Sequence, residues 1–245
     1  ADLKFGCEIG VNAVAASFIR KASDVETIRQ ILNENGGEHI QIISKIENQE
    51  GVDNIDSILA VSDGLMVARG DLGVEIPFEK LPAVQKMMIE KCNAAGKPVV
   101  TATQMLDSMM RNPRPTRAEV SDVANAILDG TDAIMLSGET AQGKYPVETV
   151  RIMANICERQ EGYTSYNTNY NYERKNNIVE MVAESACLSA NELDAKLIVT
   201  GTLSGYTARK LSNMKPNCTI FATCHEEKVA RFLSIYYGVE AQTIN

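Results

Sequence analysis

Histidine and surplus positive charge are what this sequence has least of. Only two histidines occur in 245 residues, His39 and His225. They are too few and too isolated for a histidine metal centre, so each is read as a surface or cap residue. Lysine and arginine number 24 against 32 aspartates and glutamates, a net charge of −8 with the two signs interspersed. That balance leaves no electrostatic footprint for DNA or RNA and no polybasic membrane patch, so neither nucleic acid nor membrane is an expected partner. No apolar run approaches the roughly 18 residues of a membrane span, and no signal-peptide pattern opens the chain. The cysteines at 7, 92, 157, 187, 218 and 224 show no C-x-x-C spacing. A zinc or disulfide framework is thereby disfavoured, and a reduced, cytoplasmic chain is expected. Also missing is a G-x-G-x-x-G turn, the mark of a dinucleotide crevice.

What is present is a hydrophobic content of 44%, enough for a real core. From Val11 to about Glu158, short apolar runs rich in β-formers alternate with helix-period segments. The runs are "NAVAASFIR", "IQIISKIE", "DGLMVARGD", "KPVVTATQML" and "TDAIMLSGE". Ser23 with Glu26, and Thr116 with Glu119, have the spacing of capping boxes, while Gly36, Gly96 and Gly130 read as helix ends. Strand, helix, strand with near-continuous apolar strands predicts a parallel sheet covered by helices. About five such units in a row fit a barrel better than an open sheet, yet five do not close a barrel of eight. Residues 1–159 are therefore expected to form a partial barrel, 160–177 a polar linker rich in Asn and Tyr, and 178–245 a smaller, incomplete α/β domain. Ala1 falls directly before what reads as the end of a helix, so the chain is expected to be a piece of something longer.

In a parallel barrel the chemistry sits at the carboxyl ends of the strands. Polar residues follow each run: Ser17 and Arg20, Lys45 and Glu47, Arg69 and Asp71, Thr103 and Gln104, Ser137 and Glu139. Any one of them alone could be a helix cap or a solvated loop residue. Lys45 and Glu47 stand out because they continue the alternation of Ile43 and so face the barrel mouth. Glu50 falls outside that alternation and reads as an acid in the first turn of the next helix. In "VARGDLGVEIP", Gly70 and Gly73 bracket Asp71, which predicts a tight turn with amides free to face an anion. Glu47 and Asp71 would give Mg²⁺ two hard oxygen ligands. With Lys45 beside the metal and the hydroxyl of Thr103, the set suits a small anionic substrate whose charge grows during reaction, an enolate or a transferring phosphoryl group.

The blocks "IISKIENQEGV", "MVARGDLGVEIP", "TATQMLDSM" and "NPRPTRAEVSDVANAILDGTDAIMLSGETAQGKYP", in that order, resemble the pyruvate kinase family. The likeness is continuous from about residue 3 to 160 and looser thereafter. It implies the last five or so units of a (β/α)8 TIM barrel followed by a truncated C-terminal regulatory domain. It also implies transfer of a phosphoryl group from phosphoenolpyruvate to ADP, giving ATP and, after protonation of the enolate, pyruvate. On that resemblance Lys45 neutralises the transferring phosphoryl group. Glu47 and Asp71 hold Mg²⁺ or Mn²⁺, and Gly70, Asp71 and Thr103 hold the substrate carboxylate. Thr103 and Ser137 lie near the path of the proton. Thr202, Ser204, Gly205 and Thr207 match a loop that in some members holds a phosphate of a sugar-phosphate effector. The K⁺ site, much of the nucleotide site and a lid domain have no counterpart in this chain, so the chain alone is expected to be inactive. A homo-oligomer, tetrameric in the full-length family, is implied too, with "MMRNPRPTRAE" near a subunit interface. Two alternatives stand beside this one: a metal-dependent aldolase or lyase acting through a pyruvate enolate, and a non-catalytic fragment that only associates with other chains.

Overall fold

A computed structural model describes residues 1–162 and 177–244. These fall into two compact units, 1–92 with 98–162 and 93–97 with 177–244. The segment expected as a linker lies almost wholly outside the described residues.

The first unit runs α1 (Asp2–Ile9), β1 (Ala13–Ala16), α2 (Ala22–Glu34), β2 (Gln41–Ile46), α3 (Gln49–Asp53), α4 (Ile55–Val61), β3 (Gly64–Ala68), α5 (Arg69–Glu75), α6 (Leu81–Ala95), β4 (Val99–Ala102), α7 (Arg117–Leu128), β5 (Ala133–Met135), α8 (Gly138–Ala141) and α9 (Pro146–Glu161). Its five strands lie in sequence order and every adjacent pair is parallel. This is the partial-barrel arrangement that the alternation of runs and helices predicts. Among the described residues β1 and β5 are the outer strands.

Strand parity divides the core. Ile42, Ile46, Leu65, Val67 and Val99 pack with Val25 and Leu32 of α2, Ile55 and Ile58 of α4, and Met88 and Ile89 of α6. The opposite parity, Ile43, Met66 and Ala102, forms a smaller cluster with Val100 and Met135. One side of the sheet therefore faces helices and the other is the barrel interior. Fully burying one such aliphatic side chain is worth about 1.5–3 kcal/mol, so the helix-facing layer carries most of the stability. At the amino end of the sheet, Asp63 accepts from the Ile42 amide at 2.8 Å and Asp132 from the Val99 amide at 3.0 Å. Each aspartate before one strand thus ties down the start of its neighbour, which leaves the opposite edge for chemistry.

Helix boundaries follow the capping chemistry, with one correction. The amide of Glu119 donates to Thr116 Oγ1 at 3.2 Å, and Glu119 Oε2 accepts the Thr116 amide at 2.7 Å, the expected box. The Ser23 and Glu26 box does not form. Helix α2 starts at Ala22, and Asp24 Oδ2 takes the amides of Arg20 and Lys21 instead, at 3.0 and 3.1 Å. Asp24 is the third residue after the cap, where a short carboxylate reaches back to it, whereas Ser23 is already inside the first turn. Gly36, Gly96 and Gly130 do end their helices, at φ of 75°, 65° and 91°. Glu50 lies in the first turn of α3, as expected.

Glu119 gives a test of this local reading. Burial pushes its carboxyl up, but hydrogen bonds from the amide and hydroxyl of both Ser108 and Thr116 outweigh that and hold it below the ordinary 4.5. A lowered folded-state pKa stabilises fully above the unfolded value and is lost as pH falls through the folded one. Glu119→Ala is therefore expected to cost about 1–2 kcal/mol at pH 7, and clearly less well below pH 4. Denaturant unfolding of both proteins at the two pH values checks this. A gap that does not change with pH would show that the carboxylate charge is not what caps α7.

The second unit contains α10 (Ile178–Glu192), β6 (Leu197–Gly201), α11 (Tyr206–Asn213), β7 (Thr219–Cys224), α12 (Glu227–Leu233) and β8 (Val239–Thr243), with the three strands parallel in that order. Ala183 and Cys187 of α10 pack with Leu211, Met214 and Ile220, while Ala208, Ala222, Leu233 and Tyr236 form a second cluster. None of the six cysteines, all among the described residues, is in a disulfide. Burial pushes the Cys157 thiol up to about 11 and the Cys187 thiol up to about 12, so both stay protonated and unreactive at neutral pH. No described helix is long and apolar enough to cross a membrane.

Candidate active site at the carboxyl ends of the strands

Parity places Lys45 and Glu47 on the inner side. Lys45 pairs with Met66 in the β2–β3 ladder and Ile46 with Val67, so Glu47 stands one step beyond the last registered pair. Its carboxylate is only 1% exposed, and Lys45 Nζ lies 2.7 Å from Oε1. The other oxygen, Oε2, accepts the Phe18 amide at 2.5 Å. Phe18 presents that amide from a left-handed turn, φ 56°, just after β1. Lys45 Nζ also donates to Ser17 Oγ at 3.0 Å, and its side chain remains 23% exposed. The result is a buried anion held on one oxygen by backbone and on the other by a partly exposed cation that water can reach.

The segment after β3 corrects the sequence-based picture. Gly70 and Gly73 do not make a tight turn: residues 69 to 75 are helical, and neither glycine has a positive φ. Asp71 lies exposed in the first turn of α5. Gly70 is required for space instead. A Cβ there would stand 2.7 Å from Thr103 Cγ2, closer than packed carbon atoms approach. Thr103 and Gln104, directly after β4, adopt φ of 76° and 55°. A β-branched residue in that region is a genuine outlier, costing on the order of 1–3 kcal/mol, and such strain tends to gather at functional sites.

Two residues left without a role by the sequence hold these loops. Arg69, 9% exposed, continues the helix-facing parity of Leu65 and Val67. Its Nη1 pairs with Asp122 Oδ1 of α7 at 2.8 Å, and its Nη2 donates to the Thr103 carbonyl at 2.7 Å. Glu139, buried in α8, accepts the Leu106 amide at 3.2 Å on one oxygen and the Ser137 amide at 2.8 Å on the other. It thereby ties the loop after β4 to the loop after β5 and fixes the backbone of Ser137. A charged residue on the helix-facing parity of a fully buried strand was the signal that could have singled out Arg69. Glu139 carries no such signal.

In the second unit, Thr202, Ser204, Gly205 and Thr207 stand together where β6 runs into α11. Thr202 is buried, and its amide already donates to the Thr223 carbonyl at 2.9 Å. Gly205 caps α11 at φ 80°, with Leu233 Cδ2 only 3.1 Å from where a Cβ would stand. The positive φ favours glycine there, and a Cβ would also press on Leu233.

Among the described residues no group of three or more His, Cys, Asp and Glu side chains is placed to hold a metal ion. Mg²⁺ does not need one, since one or two carboxylates suffice beside water and substrate oxygens. Glu47, whose two oxygens meet Lys45 and the Phe18 amide, and Asp71 just past the adjoining strand are carboxylates of the kind a hard divalent ion takes. The carboxyl edge thus carries a buried carboxylate with an ammonium group against it, and a threonine in a strained loop.

Residues 1–150 match the model of the pyruvate kinase barrel domain, and residues 180–245 that of the pyruvate kinase alpha/beta domain. The pyruvate kinase of Clostridium acetobutylicum is 58% identical over 243 residues, covering 98% of this chain and 51% of that protein. That of Bacillus licheniformis is 58% identical over 243 residues, 98% of this chain and 42% of its own length. The Dictyostelium discoideum pyruvate kinase is 58% identical over 229 residues, 90% and 45% respectively. The chain thus spans about half the length of the curated relatives it matches. Matched over both its units, and carrying the strand-end lysine and glutamate in contact, the chain belongs to the pyruvate kinase family.

Proposed function

We propose that this chain supplies the phosphoenolpyruvate and metal side of a pyruvate kinase active site. The observation that carries the reading is the Lys45–Glu47 pair, 2.7 Å apart with the carboxylate buried. Glu47 and Asp71 would hold Mg²⁺ or Mn²⁺, which when bound supplies charge neutralisation for the phosphoryl group and the enolate oxygen. Lys45 shares the same charge as the phosphorus–oxygen bond of phosphoenolpyruvate breaks and the β-phosphate oxygen of ADP takes the phosphoryl group. Gly70, Asp71 and Thr103 orient the substrate carboxylate. The enolate left behind takes a proton at its terminal carbon to give pyruvate, with Thr103 and Ser137 beside that path. Transfer of this kind asks mainly for positioning and electrostatics, which a lysine held against a buried carboxylate and a strained, pinned loop would supply.

On this reading the groups that bind ADP and K⁺ belong to the half of the relatives' length that this chain does not match. Family membership sets the aldolase alternative aside. The loop at Thr202, Ser204, Gly205 and Thr207 is proposed as the place of a sugar-phosphate effector, and a cytoplasmic homo-oligomer as the working form. The reading is tested by turnover. Purified 245-residue protein is expected to convert no phosphoenolpyruvate and ADP. A chimera that adds the unmatched part of the Clostridium acetobutylicum relative is expected to do so. Turnover by the 245-residue chain alone would contradict the division of the site.

A further inference from the structure

We infer that Arg69 is a positioning residue for the reaction proposed above, holding the Thr103 hydroxyl in place by fixing that residue's backbone in a left-handed conformation. The inference rests on the proposed function only for what Thr103 then does. The contacts themselves are local and specific. Arg69 Nε lies 3.2 Å from both the Ala102 and Thr103 carbonyl oxygens, and Nη2 donates to the Thr103 carbonyl at 2.7 Å. The remaining edge of the guanidinium meets Asp122 at 2.8 Å, Gln85 Oε1 at 3.4 Å and Met105 Sδ at 2.8 Å. Every side of the planar fork is engaged, and the shortest carbonyl contact is to the residue whose φ is 76°. Gly70, the next residue, leaves room for the methyl group of that same threonine. One dipeptide thus grips Thr103 twice, at its carbonyl and at its side chain.

A lysine could keep the charge pairing with Asp122 but lacks the fork that also spans the Ala102 and Thr103 carbonyls. This separates positioning from a merely structural charge. The experiment compares wild type, Arg69→Met and Arg69→Lys in the 245-residue chain. It reads ¹³Cα and ¹³Cβ shifts of Thr103 and Gln104, Mn²⁺ affinity, and binding of oxalate, a planar dianion shaped like the enolate, to the Mn²⁺-loaded protein. In both variants the Thr103 shifts are expected to leave their positive-φ values. Mn²⁺ affinity should stay within about twofold while oxalate binding weakens about tenfold or more, as small misplacements of a binding group allow. Unchanged Thr103 shifts, or full recovery of oxalate binding by Arg69→Lys, would overturn the inference. If Arg69→Met does not fold, Arg69→Lys alone decides between the same outcomes. If wild type binds Mn²⁺ but not oxalate, the proposed function fails instead, and the shifts still decide whether Arg69 holds Thr103.

Discussion

Lys45→Met is expected to lower phosphoryl transfer from phosphoenolpyruvate to ADP by about a thousandfold or more in the turnover-competent chimera. Metal-dependent exchange of the methyl protons of added pyruvate should fall far less. The ammonium group sits 2.7 Å from Glu47 and 3.0 Å from Ser17, so it is fixed at the mouth before any substrate arrives. On the proposed function, a preorganised charge there would act on the phosphoryl group, whose charge redistributes in the transition state, more than on the enolate, which the metal and Thr103 would also serve. The fold should tolerate the change. Breaking a fully buried ion pair costs about 3–5 kcal/mol. Water reaches Lys45, however, and the Phe18 amide stays on Glu47, so the loss should be smaller. Parallel steady-state and proton-exchange rates on the same preparation make the comparison, and equal losses in both would remove Lys45 from the phosphoryl step.

Glu47→Gln is the second large effect. The amide is nearly isosteric and can still accept the Phe18 amide, so the turn after β1 should keep its shape. What disappears is a unit of negative charge in a site sheltered from water. At an effective dielectric near 20, a contact between unit charges is worth roughly 4 kcal/mol, and a divalent ion feels more. The Mn²⁺ concentration for half-maximal turnover should therefore rise about a hundredfold or more. An unchanged metal requirement would mean that Glu47 serves only as the counter-ion of Lys45.

Much of this was legible from residue patterns, and the reasons are specific. The two strand parities, with Ile42 and Ile46 toward helices and Ile43 toward the interior, follow from period-two alternation. Because Lys45 and Glu47 share the parity of Ile43, their contact could be expected before any coordinates. Other features depend on contacts distant in sequence. Arg69 reaches Asp122, 53 residues away, and Glu139 reaches Leu106, 33 residues away. No local pattern encodes those distances. The backbone at Gly70 differs from expectation for the same reason: the sequence around it suggests a turn, whereas the constraint comes from a threonine on the next strand's loop. The likeness to a family supplied the substrate. The residues themselves reached only a metal, a lysine and a growing negative charge.

The proposed function requires that Glu47 and Asp71, at the carboxyl edge of this sheet, hold a divalent metal. Electron paramagnetic resonance of free Mn²⁺ during titration of the 245-residue chain tests it most directly, with wild type, Glu47→Gln and Asp71→Asn side by side. The account predicts one Mn²⁺ per wild-type chain and a loss of that binding in each variant. Equal Mn²⁺ binding by all three proteins would contradict it.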